Sequence, residues 1–158
     1  MIKSLWVMRH GLAVDYFESD FSRALSAEGE RQVETVIEQL LNDSPLLPKH
    51  MLSSPLSRTV STAKIVQKKL GFSQTIETEN LLIHSADHKL LADFLLTTNY
   101  EQLLIVSHMP IVSYLCQYLA PGCELYSFET AQCIRMDFFT DSNNIRVGKV
   151  NKIYLPVD

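Results

Sequence analysis

The stretch Ser4-Leu5-Trp6-Val7-Met8-Arg9-His10-Gly11 is the part of the sequence from which the fold is most directly predicted. Residues 4–8 form a short apolar run between polar residues, which is typical of a buried β-strand. An arginine, a histidine and a glycine follow this run without any spacer. We therefore predict a first strand inside the molecule, with basic side chains at its carboxyl end.

Strand and helix patterns alternate along the chain beyond this first strand. Apolar spacing predicts four helices: one capped by Ser26, one opening at Ser54-Pro55 and ending at Gly71, one over about 87–96, and one opening at Ser107-His108. Strands are predicted at 51–53, at 103–106 and, as a minor strand, at 73–77, before a closing hairpin of residues 131–139 and 145–154. The order predicts an α/β fold in which the early strands are parallel and the last ones antiparallel.

Length and composition narrow the class of protein. The 158 residues, of which 46% are hydrophobic and 20% charged, predict one globular domain covering residues 1–158. A net charge of −4 gives no overall attraction to nucleic acid or to an anionic membrane surface. Three cysteines without a paired spacing favour reduced thiols, and no segment is predicted to act as a signal peptide or membrane span. We therefore expect a cytoplasmic protein.

Four basic or imidazole side chains follow predicted strands. Arg9 and His10 follow the first strand, Arg58 lies just after the strand at 51–53, and His108 follows the strand at 103–106. Because the carboxyl ends of parallel strands meet at one edge of a sheet, we expect these four side chains to lie together.

The chemistry of these side chains suits a phosphoryl group. An arginine matches phosphate oxygens with a planar fork of donors, and the amino termini of two helices would add oriented N–H groups. A neutral imidazole can attack phosphorus, and a second one can donate a hydrogen bond or a proton.

Other interpretations of individual residues remain open. Arg58 also fits a solvated helix position, since its neighbours are polar. His84 and His88 have the spacing of a metal pair on a helix, although two exposed histidines are the better interpretation. Candidate acids at the rim of the site are Glu77, Glu79, His84 and Asp87, with Glu79 first among them and a solvated carboxylate as its alternative.

The chain resembles the histidine phosphatase superfamily, also called the phosphoglycerate mutase-like group. The resemblance covers essentially the whole chain and is closest to the short phosphohistidine phosphatases of the SixA type. It is carried by four ordered motifs: Val7-Met8-Arg9-His10-Gly11, Arg23-Ala24-Leu25-Ser26 with Gly29, Ser54 to Thr62 with Arg58, and Ser107-His108-Met109-Pro110 with Val112.

This resemblance implies roles for the matching residues. His10 is expected to be the nucleophile that carries a transient phosphoryl group, and Arg9, Arg58 and His108 to hold the phosphate oxygens. Arg23 and Gly11 are expected to be further phosphate-side residues, and no metal or other cofactor is implied. The expected fold is a three-layer α/β/α sandwich with a mostly parallel sheet and an antiparallel C-terminal strand.

The length of the middle segment bears on the substrate. Larger members of the superfamily carry a long insertion after the second helix, whereas residues 70–103 have room for only about one helix. The site is therefore expected to be open, which favours a phosphohistidine on another protein, such as the histidine phosphotransfer domain of a signalling relay. The alternatives are a general small-molecule phosphomonoesterase and a phosphohistidine-binding module without turnover.

Overall fold

The structure is a computed structural model that describes residues 1–15, 18–43 and 45–157. Its strands are β1 (Ser4–Arg9), β2 (His50–Ser53), β3 (Glu77–Thr78), β4 (Gln102–Ser107), β5 (Cys133–Thr140) and β6 (Arg146–Tyr154). Its α-helices are α1 (Ala27–Asp43), α2 (Ser57–Leu70), α3 (His88–Thr97) and α4 (Ile111–Leu119), and a short 3₁₀ helix spans Asn80–Leu82.

The six strands form one sheet in the order β3-β2-β4-β1-β5-β6. β1, β2, β3 and β4 run parallel, while β5 is antiparallel to β1 and forms an antiparallel hairpin with β6. This confirms the predicted α/β sheet with parallel early strands and an antiparallel strand near the C-terminus. β1 and β4 lie at the centre of the sheet, which explains why the sequence of each is a continuous apolar run.

Side chains alternate between the two faces of the central strands, and each face is covered by two helices. Leu5 and Val7 of β1 pack into one apolar cluster with α3 and α4, whereas Trp6 and Met8 pack into the other with α1 and α2. Since successive residues of a strand point to opposite faces, a buried central strand requires apolar residues throughout. The predicted three-layer α/β/α arrangement is therefore confirmed.

Several element boundaries differ from the prediction. α2 begins at Ser57 after an extended N-cap residue, Leu56, so Pro55 lies before the helix and not in its first turn. The minor strand predicted at 73–77 is instead the two-residue β3, because only Glu77 and Thr78 reach β2. His108 precedes α4, which begins three residues later.

The helix caps that the sequence predicts are present. The amide of Gly29 donates to Oγ of Ser26 at 3.0 Å, so Ser26 caps α1. Gly71 ends α2 in the left-handed conformation, with a φ of 74°. Within the described residues, no helix has the length and apolar character that crossing a membrane requires.

Candidate active site

A pocket lies at the carboxyl ends of β1 and β4. The residues that line it are Arg9, His10, Asp20, Arg23, Arg58, His84, His108 and Met109. The structure thus brings together the four side chains expected at this edge and adds Arg23. The empty space in the pocket is about 560 Å³ when the part open to solvent is included.

The backbone of His10 is held by the end of β4 and by a residue just before β5. Its amide donates to the oxygen of Ser107 at 3.1 Å, and its oxygen accepts from the amide of Ala131 at 2.8 Å. In the side chain, Nδ1 lies 2.7 Å from the main-chain oxygen of Gly11. A carbonyl can only accept, so this bond selects the tautomer with the proton on Nδ1. Nε2 of His10 therefore carries the lone pair.

The environment of His10 keeps its ring neutral. Burial lowers the pKa of His10 to about 4, the hydrogen bond to Gly11 opposes this shift, and the positive charges of Arg58 and Arg9 add to it. An imidazolium would face the guanidinium groups of Arg58, Arg9 and Arg23 with little water to screen it. His10 is thus a neutral imidazole near neutral pH, which is the form that can act as a nucleophile.

His108 lies beside His10 and is held by a buried serine. The two ring centroids are 5.3 Å apart, and Nε2 of His108 lies 2.7 Å from Oγ of Ser54. Burial, with His10 and Arg58 nearby, lowers the pKa of His108 to about 2. If the Ser54 hydroxyl donates to Nε2, the proton of the neutral ring is on Nδ1, which is buried and has no hydrogen-bond partner among the described residues. This nitrogen is then a donor available to an anion.

The arginines differ in how the protein holds them. Arg9 donates from Nη1 to the oxygen of Phe128 at 2.7 Å, while its buried Nε has no hydrogen-bond partner among the described residues. Burial lowers the pKa of Arg9, and Arg58 lowers it further, but an arginine stays cationic near neutral pH. Arg23 donates from Nε to the oxygen of Val14 at 3.0 Å. Three guanidinium groups thus line one pocket.

Asp20 is a pocket residue that sequence reasoning missed. Arg58 donates from Nη1 to the main-chain oxygen of Asp20 at 2.8 Å, and its Nη2 lies 3.3 Å from the carboxylate. Nη1 of Arg23 lies 3.8 Å from the other carboxylate oxygen. The only available signal was its position three residues before Arg23, inside a stretch without a clear period.

Gly11, which follows His10, packs against the backbone of α1. A Cβ on Gly11 would lie 2.6 Å from the oxygen of Gly29, so the missing side chain admits the backbone of α1. The Gly11 amide donates to Oγ1 of Thr62 at 3.1 Å and is therefore already engaged. Contact between Gly11 and phosphate stays a prediction.

The carboxylates put forward as acids have structural contacts, and none lines the pocket. Glu79 accepts from the amide of Leu81 at 3.2 Å and caps the 3₁₀ helix. Asp87 caps α3, and Glu77 accepts from the hydroxyl of Tyr100.

His84, the fourth candidate acid, does line the pocket. The interpretation of His84 as an exposed histidine is thus wrong, because the loop before α3 turns its half-buried ring towards His108.

Helix termini contribute less to the pocket than expected. The first amide of α2, that of Ser57, donates to the oxygen of Phe21 at 3.0 Å. The amide of Val112 in α4 donates to the oxygen of His108 at 3.1 Å. These two N–H groups are therefore paired inside the protein, and the guanidinium groups are the main source of positive charge.

His84 and His88, which were considered as a metal-binding pair, have different surroundings. His84 faces His108, whereas His88 contacts Tyr114 and Tyr118 at ring distances of 5.6 and 5.8 Å. Across residues 1–15, 18–43 and 45–157, no group of three or more histidine, cysteine or acidic side chains is arranged to hold a metal ion.

Solved structures similar to the chain include SixA proteins. One is the protein histidine phosphatase SixA complexed with tungstate, at 26% identity and a TM-score of 0.80, with 97% of each chain covered. An Agrobacterium tumefaciens protein assigned to the phosphohistidine phosphatases SixA has the same fold, at 19% identity and a TM-score of 0.81, with 99% of this chain and 100% of that one covered. A mycobacterial glucosyl-3-phosphoglycerate phosphatase shares the fold at 15% identity and a TM-score of 0.68, with 94% and 97% covered.

Sequence comparisons identify the family. Curated protein sequences give no significant match. The family model of the histidine phosphatase superfamily (branch 1) matches residues 5–83, which is half of the 158 residues and includes His10 and Arg58. The chain therefore belongs to the histidine phosphatase superfamily and is a phosphatase.

Proposed function

We propose that the protein removes the phosphoryl group from a phosphohistidine on another protein, through a covalent intermediate on His10. The observation that carries the proposal is the 2.7 Å contact between Nδ1 of His10 and the oxygen of Gly11. It leaves the lone pair on Nε2 of a neutral ring, beside the guanidinium groups of Arg9 and Arg58. A nucleophile and the charges that clamp a phosphoryl group thus share one pocket.

In the first step, Nε2 of His10 attacks phosphorus while the bond from phosphorus to the substrate nitrogen breaks. Arg9 and Arg58 stabilise the charge on the transferred oxygens, and Nδ1 of His108 donates to one of them. The phosphorylated His10 ring keeps its Nδ1 proton and becomes an imidazolium, which is a good leaving group. In the second step, water attacks the same phosphorus, and His10 returns to its neutral form.

The openness of the pocket supports a protein substrate. Between α2 and β4 the chain forms only β3, the 3₁₀ helix and α3, and His84 is the only residue of this segment that lines the pocket. The likeness to a protein histidine phosphatase SixA across 97% of each chain supports the same substrate class. We propose the histidine phosphotransfer domain of a signalling relay as the partner.

The test is a trap for the intermediate. The chain is mixed with a histidine phosphotransfer domain carrying labelled phosphohistidine and quenched in alkali, where phosphohistidine survives. We expect label on His10 and release of inorganic phosphate, and we expect His10→Ala to lose both. His50→Ala, outside the pocket, serves as the control.

Two outcomes would contradict the proposal. Turnover of 4-nitrophenyl phosphate without action on the phosphoprotein would indicate a small-molecule phosphomonoesterase. Tight association with the phosphoprotein, with neither label on His10 nor release of phosphate, would indicate a binding module.

A further inference from the structure

We propose that His84 is the acid–base residue of the reaction: it protonates the leaving group in the first step and accepts the proton of the attacking water in the second. This inference rests on the proposed function, because it assigns the proton transfers of the same two steps. The observation behind it is that His84 lines the pocket with its ring 5.6 Å from that of His108, at an interplanar angle of 80°.

The position of His84 is held by the end of β4. Oγ of Ser107 donates to the oxygen of Leu82 at 2.5 Å, so the loop that carries His84 is tied to the residue just before His108. The amide of Ala86 donates to the oxygen of Ile83 at 3.0 Å and closes a turn around His84. The backbone that carries His84 is therefore tied to the backbone that carries His108.

The ring of His84 has an unused polar atom. Its Nδ1 is buried and makes no hydrogen bond within the described part of the chain. Burying such a nitrogen without a partner costs free energy, and functional sites are where this cost is commonly found. The other histidines outside the catalytic pair have aromatic neighbours instead: His50 lies 4.4 Å from the ring of Tyr100, and His88 contacts two tyrosines.

The remaining ionisable groups of the pocket are committed to other roles. His10 and His108 are buried as neutral rings, the first as nucleophile and the second bonded to Ser54. Arg9, Arg23 and Arg58 stay cationic. The carboxylate of Asp20 is ion-paired with Arg58 and Arg23. Among the described residues that line the pocket, His84 is thus the one left to exchange a proton, which an imidazole can do.

The proton balance of both steps is satisfied by one imidazole. In the first step, protonated His84 gives its proton to the nitrogen that leaves phosphorus, so the substrate histidine departs as a neutral ring. In the second step, neutral His84 takes a proton from water as its oxygen bonds to phosphorus, and inorganic phosphate is released. His84 ends the cycle protonated, as it began.

The charged side chains that line the pocket together with His84 are Arg9, Arg23, Arg58 and Asp20, while His10 and His108 are uncharged. A dianionic phosphoryl group that enters such a pocket favours a proton on a nearby imidazole.

The test compares His84→Gln with His88→Gln, a matched change of the next histidine along the chain, which lies outside the pocket. General acid–base catalysis contributes about 10²–10⁴-fold, so we expect His84→Gln to lower phosphohistidine turnover by at least about a hundredfold. His88→Gln should keep wild-type turnover. The pH dependence that acid–base catalysis by His84 gives to wild-type turnover should disappear in His84→Gln.

Two further measurements separate proton transfer from a structural role. With 4-nitrophenyl phosphate, whose leaving group needs no proton, His84→Gln should release one equivalent of 4-nitrophenolate in a burst and accumulate label on His10. In His84→Ala, added imidazole should restore turnover. The proposal is overturned if His84→Gln keeps wild-type turnover and pH dependence, or if it loses the burst while binding inorganic phosphate normally. Absence of label on His10 in wild type would instead contradict the proposed function.

Discussion

Arg58 makes two contacts with a single residue, Asp20: Nη1 donates to its main-chain oxygen at 2.8 Å, and Nη2 lies 3.3 Å from its carboxylate. The side chain of Arg58 is 7% exposed, whereas that of Asp20 is 51% exposed. The guanidinium of Arg58 is therefore held in buried surroundings. The half-exposed carboxylate of Asp20 can be displaced from it by a ligand. A phosphate that binds Arg58 has to compete with this carboxylate.

Asp20→Asn is accordingly expected to strengthen the binding of inorganic phosphate. A partly exposed ion pair contributes up to about 1 kcal/mol, which corresponds to roughly a fivefold change in affinity. Titration calorimetry at low ionic strength would measure the change. Glu18→Gln, which removes one charge from an exposed position in the same loop, is the control and should leave the affinity nearly unchanged. Weaker phosphate binding by Asp20→Asn would show that Asp20 chiefly orients Arg58.

Ser54→Ala should affect both stability and activity. It removes the hydroxyl 2.7 Å from Nε2 of His108 and leaves a buried ring nitrogen without its partner. Such a loss costs about 1–3 kcal/mol, or roughly 2–12 °C in Tm for a chain of this size. We also expect kcat to fall by about tenfold, because His108 is no longer held in one orientation. Calorimetry and turnover would check both, and Ser57→Ala, near the start of α2, should change neither by as much.

Gly29→Ala tests the contact between α1 and the end of β1. A Cβ at this position would lie 2.1 Å from the oxygen of Leu12, so the backbone next to His10 must shift. We expect a loss of stability of at least about 1–3 kcal/mol together with a loss of turnover, measured by urea unfolding and phosphate release. Gly71→Ala meets no neighbouring atom but requires an alanine at a φ of 74°. Gly71→Ala should lower the free energy of unfolding by about 1–2 kcal/mol and leave turnover intact. Equal losses of turnover in Gly29→Ala and Gly71→Ala would contradict this explanation.

The pH dependence of stability follows from the two buried neutral histidines. The pKa of His10 is lowered to about 4 and that of His108 to about 2, while both rings titrate near 6.5 when unfolded. Below pH 6.5 the unfolded chain therefore binds more protons than the folded one. The stabilisation that comes from burying neutral histidines should be fully present above pH 6.5, and the free energy of unfolding should fall as the pH drops below this value. The loss that is due to His10 should level off near pH 4. The loss that is due to His108 should continue to lower pH. Each proton contributes up to about 1.4 kcal/mol per pH unit.

Urea unfolding between pH 4.5 and 7.5 would measure this slope. His108→Gln should reduce the slope by close to one proton. An unchanged slope in His108→Gln would show that His108 is not the source of the missing proton.

The central strands were predictable because the information that defines them is local. Residues 4–8 and 103–106 lie in strands covered by helices on both faces, and a strand in this position needs apolar residues throughout. The cap at Ser26 and the stop at Gly71 were predictable for the same reason, since each depends on residues within one helical turn. α2 is an exception at its start, because Ser57 donates its amide to Phe21, 36 positions earlier in the sequence.

The sequence by itself determined the fold class and the position of His10, Arg9, Arg58 and His108 at one sheet edge, because strand order and side-chain type suffice for both. Only the tertiary structure decided that Asp20 and His84 line the pocket and that Gly11 faces Gly29. Both pocket residues lie in loops, and the placement of a loop depends on contacts distant in sequence, such as that between Ser107 and Leu82. The tertiary structure also decided that the His10 ring is neutral, because burial and neighbouring charges set its pKa.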